Sequence, residues 1–90
     1  MNRTGSHAAT RRGDRVVAQD GELGRVDRIL RSETAGPDYV VVAVGSIVRR
    51  RYPVLHSALI TNVDRSERRV YVRGRRHALR RLPESPPLIV

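Results

Sequence analysis

The sequence predicts a mainly all-β domain, a small, strongly bent antiparallel barrel with one short helix near its C-terminal end. Three observations carry this expectation. Short β-branched runs recur at roughly 8- to 12-residue intervals, Gly- and Asp-containing turn signals separate them, and only the stretch from Arg75 to Leu82 has helical periodicity. Ninety residues suffice for one domain with a modest core. The domain is expected over residues 13–83, between an N-terminal tail (1–12) and a Pro-rich C-terminal tail (84–90).

Asp14 to Gln19 reads as the first strand, and Asp20-Gly21 as a tight turn whose glycine suits a positive φ. Gly24 opens the next strand and permits a close backbone approach or a bulge. Through Arg25 to Ser32 the apolar residues Val26, Ile29 and Leu30 break strict alternation, which predicts a bulge or bend. Tyr39 to Val44, the most apolar run, is the expected central strand, and Val41 is the residue there that could be buried on a second face. Gly45-Ser46 then reads as a two-residue hairpin into a fourth strand, Ile47 to Tyr52, which Pro53 ends. Leu59 to Val63 and Arg69 to Arg73 are the remaining strands, around a polar turn from Asp64 to Arg68. Alternation places Val16, Val26, Val40, Val42, Val70 and Val72 inside. In the final helix Ala78, Leu79 and Leu82 share one face, and Arg76, His77, Arg80 and Arg81 the other.

The charge is uneven. All 18 basic residues are arginine, which fits a genome of high G+C content, and the formal net charge is +9. Residues 1–48 hold seven arginines and six acids, whereas residues 49–81 hold eleven arginines and two acids. The positive field therefore belongs to the second half. Arg25, Arg28 and Arg31 are interleaved with Asp27 and Glu33 and read as a solvated face. Arg76 and Arg80 form an i, i+4 like-charge pair that weakens the helix instead of supporting it. Arg49, Arg51, Arg76, Arg80 and Arg81 are the candidate partner-binding residues, since the planar guanidinium makes bidentate contacts to phosphate and carboxylate.

Other chemistry finds little footing. The absence of cysteine excludes disulfides and thiolate metal sites and fits a reducing cytoplasm. His7, His56 and His77 share no metal-ligand spacing, so no metal and no cofactor is expected. His56-Ser57 are neighbours in sequence, which rarely gives a nucleophile and its base the geometry they need, and no catalytic residue is assigned. No apolar run reaches the roughly 18 residues of a membrane span, and Met1 to Arg12 lacks the apolar stretch of a signal peptide.

The order of these pieces resembles the PRC-barrel family. Gly13-Asp14-Arg15-Val16-Val17 matches its opening strand, and Asp20-Gly21-Glu22-Leu23-Gly24-Arg25-Val26-Asp27 its "DG..LG.V.D" signature. Tyr39 to Val42 falls where that family has a Val-rich strand, and Arg51-Tyr52-Pro53-Val54 resembles the step that follows. Ala58 to Asp64 is similar to its "..V..VD" segment, and Arg69 to Val72 to its closing strand. One departure is Tyr52, where many relatives have an apolar residue before the proline. The closest likeness is to short stand-alone bacterial members. The KOW-type RNA-binding barrel uses a similar glycine pattern, but its usual lysines are missing here and Glu22 sits between the glycines. The resemblance implies a non-catalytic module that docks a larger partner, a protein or ribonucleoprotein. The charge map adds a nucleic-acid backbone, of ribosomal RNA or DNA, as the alternative and ranks an anionic membrane surface last. With three tyrosines and no Phe or Trp, stacking on bases is not the expected mode.

Overall fold

A computed structural model of the chain describes residues 9–31, 36–46 and 48–85. Among them are six strands, β1 (Arg15–Ala18), β2 (Gly21–Leu30), β3 (Tyr39–Ala43), β4 (Val54–His56), β5 (Ile60–Asp64) and β6 (Arg69–Val72), a 3₁₀ turn (Ser57–Leu59) and one α-helix, α1 (Arg76–Arg80). The strands form one sheet in the order β4-β3-β2-β1-β6-β5. A flat sheet of six strands at about 4.8 Å spacing would spread over roughly 25 Å and could not converge on one cluster. Here Val16, Leu23, Val26, Val40, Val42, Leu55, Val70, Val72 and Leu79 share a single core, with Ile60 and Val63 of β5 against it, so the sheet is strongly bent. Among the described residues β4 and β5 are its two ends and do not pair with each other.

The six expected core valines are all buried, because period-2 alternation turns one side of each strand inward. Two β2 features follow from its sequence. The registers Val26↔Val42 and Arg28↔Val41 leave Asp27 as the extra residue of a bulge, which accounts for the broken alternation. At Gly24 a Cβ would run into the Ala43 carbonyl oxygen, so β2 and β3 come together through the missing side chain. Gly21 has φ +136°, as the Asp-Gly turn requires.

Four expectations need correction. The sheet is not wholly antiparallel, since β1 and β6 run parallel, Arg15↔Arg69 and Val16↔Val70. With β2 on one edge of β1, only the other edge is open to the β5–β6 hairpin. Asp14 then holds the turn of that hairpin, which sets its direction: Asp14 Oδ2 accepts from the Arg65 guanidinium and from the Arg11 N–H at 2.9 Å. The fourth strand lies at Val54–His56, not at 47–52. Val44 and Arg51 exchange two backbone bonds of 2.8 Å, closing a six-residue loop instead of a two-residue hairpin. The run Arg49-Arg50-Arg51 gives a strand nothing to bury, and Val48 stays 89% exposed; Ile47 lies outside the described residues. The helix is shorter than 75–82, so Leu79 is buried and Leu82 half-buried but Ala78 is exposed. Its first N–H, from Arg76, has no acceptor on its own N-cap side chain and donates instead to Asp20 Oδ1 at 2.9 Å.

Residues on both sides of the 13–83 span also take part in the fold. Thr10 is buried, and Arg11 bonds Asp14 through its carbonyl as well as its N–H. Residues 83–85 run along the outer edge of β4, with Val54 N–H to Pro83 O at 2.9 Å and Ser85 N–H to Tyr52 O at 3.0 Å. That strap covers an edge that would otherwise invite pairing with another chain. Val41 is fully buried yet lies outside the core cluster, so β3 is covered on both faces. The helix does not supply the second cover, since its Leu79 joins the core. On Val41's side its cross-strand neighbour Arg28 hydrogen-bonds Ser85 of the strap.

Two carboxyls give the domain an acid limit. The Arg76 N–H lowers the pKa of Asp20, and the Ser66 hydroxyl, followed by the Glu67 N–H, lowers that of Asp64. A depressed folded-state value stabilises the fold above the unfolded value of about 3.9, and the gain is lost as pH falls through the folded value. Urea midpoints are therefore expected to hold steady down to roughly pH 4 and to drop below it. A midpoint unchanged at pH 2.5 would contradict this.

Candidate functional site

Of the five arginines singled out by sequence, three come together. Arg49, Arg51 and Arg80 line an open depression of about 220 Å³ beside Val44 and Gly45. The 45–50 loop supplies Arg49, whose N–H donates to Ser46 Oγ at 3.2 Å, and α1 supplies Arg80. Arg76 points elsewhere: its Nε lies 3.6 Å from Asp20 Oδ1, and its guanidinium sits over Gly21. Arg81 is exposed at the C-cap of α1 and is not among the residues lining the depression.

The larger basic feature was not singled out from the sequence. Arg15 pairs in register with Arg25 on one side and with Arg69 on the other. Cross-strand partners share a face, so the three form a row across β2, β1 and β6. The residues after Arg15 and Arg69, Val16 and Val70, pair with each other in the core, which turns the row outward. With Gly13, Glu67 and Arg68 the row lines a depression of about 300 Å³. Arg68 has φ 56°, a left-handed conformation uncommon for a residue with a side chain, at the end of the β5–β6 turn. The Tyr71 hydroxyl beside Arg69 raises the pKa of its guanidinium above the ordinary arginine value.

A third depression, of about 330 Å³, joins the other two. It shares Arg25 with the first and Gly45 with the last, and it adds Arg50 and Glu22. The result is a continuous arc holding Arg15, Arg25, Arg68 and Arg69, then Arg50, then Arg49, Arg51 and Arg80, against two acids, Glu22 and Glu67. The remaining arginines read as a solvated face divide accordingly. Arg25 stands in the middle of the arc, whereas Arg28 pairs with Asp27 at 3.1 Å and Arg31 with Asp38 at 3.9 Å.

His56 is engaged structurally. Its Nδ1 accepts from the Ala58 N–H at 2.9 Å, and its ring stands edge-on to Tyr39 at 5.4 Å. The nitrogen nearest the backbone is thus committed, and it caps the 3₁₀ turn that contains Ser57. Among the described residues no group of three His, Asp or Glu side chains is placed to hold a metal ion, and no helix is long and apolar enough to cross a membrane. No model of a known protein family matches the chain, and a search of curated proteins finds no significant match.

Proposed function

We propose that this chain is a non-catalytic docking module of the PRC-barrel kind, which holds a larger anionic partner against its arginine arc in the bacterial cytoplasm. The bent six-stranded sheet, with its motifs in the order quoted above, supports the family reading, and the seam between β4 and β5 is where such a barrel would close. One observation carries the functional reading: eight arginines and two acids form one continuous surface, part of it a row of like charges on neighbouring strands. Like charges placed opposite one another on a sheet cost stability, roughly 0.2–1 kcal/mol per pair. An anionic partner lying against the row would offset that cost. Acidic protein faces and nucleic-acid backbones both offer groups that match the guanidinium fork.

The test is a pull-down from native cell extract, with and without nuclease, comparing the parent with R49Q/R51Q/R80Q. The substituted side chains are exposed, so the variant is expected to keep the parent's circular dichroism and to lose about tenfold or more of the retained partner. A folded variant that retains the partner as well as the parent does would reduce this end of the arc to a solvated surface.

A further inference from the structure

Resting on that docking reading, we infer that the arc binds the sugar-phosphate backbone of a nucleic-acid duplex, with the Arg25-Arg15-Arg69 row as its centre. The lining is the first reason. A protein interface core is depleted in charge and enriched in aromatic anchors. The arc is the reverse: none of its three depressions is lined by an aromatic residue, and its apolar lining is confined to Leu23, Ala43 and Val44. Among the described residues Tyr71, beside Arg69, is the one aromatic next to the row and lines none of the depressions, too little for the series of platforms that stack successive bases of a single strand.

Spacing is the second reason. Three consecutive strands put the guanidinium stems of Arg25, Arg15 and Arg69 about 4.8 Å apart, a row about 10 Å wide. A duplex carries one phosphate charge per about 1.7 Å of axis, counting both strands, so about six charges fall within the axial length of the row and those of the near strand can face it. Backbone pairing fixes the Cα positions of the row before the ligand arrives, so only the arginine side chains remain to be ordered on binding. The contacts go to phosphate alone, so base sequence should matter little.

The experiment measures anisotropy of labelled 24-base-pair duplexes, DNA and RNA of the same mixed sequence, from 50 to 300 mM NaCl, with polyglutamate of matched charge as competitor. The parent is expected to bind at least one duplex with log K falling against log salt at a slope of about −4 or steeper, at about −0.9 per neutralised phosphate of B-DNA. Scrambling the sequence should change Kd less than about threefold, and polyglutamate should compete at least about tenfold more weakly. R15Q/R25Q/R69Q should lose about 2 to 3 units of slope while melting no lower than the parent, since the substitutions relieve like-charge crowding. The tighter of the DNA and RNA arms identifies the source of the backbone. No salt-dependent duplex binding, an unchanged slope in the variant, or equal competition by polyglutamate overturns the inference. If duplex binding fails while the parent still retains a nuclease-resistant partner that R49Q/R51Q/R80Q loses, the docking reading stands and only the duplex inference falls.

Discussion

Gly24→Ala is expected to destabilise the domain by about 3 kcal/mol, measured as a fall in urea midpoint with little change in slope. The added methyl has no space. It would overlap the Ala43 carbonyl oxygen and stand only 3.0 Å from the Ala43 carbonyl carbon and 3.1 Å from Val42 Cγ1. The obstacle is backbone on a paired strand, so relief requires β2 and β3 to separate locally and loosen the register that aligns Val26 with Val42. That pairing positions a large part of the core, and a domain of this size has little stability in reserve. A variant with the parent's midpoint would mean that the close approach at Gly24 is not a feature of the folded protein.

Asp14→Ala comes next, with an expected cost of about 2–3 kcal/mol. The carboxylate is fully buried and gathers the Arg11 N–H, the Arg65 guanidinium and, at 3.8 Å, Arg68 Nε. Through these contacts the residue before β1 holds the β5–β6 turn, and the Arg15 N–H donates to Arg68 O at 2.9 Å beside it. The parallel β1–β6 pair depends on that clasp. Arg65 and Arg68 are partly exposed and can turn to water when the carboxylate is removed, which keeps the cost below that of stranding a buried charge. Amide hydrogen exchange is expected to speed up in β5 and β6 before it does in β2 and β3. Uniform loss of protection would show that Asp14 does not act through this edge of the sheet.

Local chemistry made most of the fold legible. Alternation is a property of each strand by itself, and it identified Val16, Val26, Val40, Val42, Val70 and Val72 without knowledge of pairing. The same holds for the bulge at Asp27 and the turn at Gly21. What depends on pairing between distant segments was not legible. The parallel approach of β6 to β1 leaves no local trace, and the shift of β4 from 47–52 to 54–56 follows from what the sheet can bury. The arc falls between these cases. Arg15-Val16, Arg25-Val26 and Arg69-Val70 repeat one dipeptide, arginine outward and valine inward, which alternation alone reveals. That the three arginines stand side by side needed the register. Counting charge along the chain drew attention to the second half, while the sheet places Arg15 and Arg25 of the first half in the same surface.

The most direct test of the arc compares two variants with the same loss of charge in different places. R15Q/R25Q removes two arginines from the row, and R31Q/R75Q removes two that line none of its depressions. Long-range steering depends on net charge and falls equally in both. Titrated into the 24-base-pair duplexes at 100 mM NaCl, R15Q/R25Q is expected to bind at least about thirtyfold more weakly than the parent, and R31Q/R75Q to stay within about threefold. Equal losses in the two variants would mean that only total charge matters, and would contradict a binding face built by the register of β2, β1 and β6.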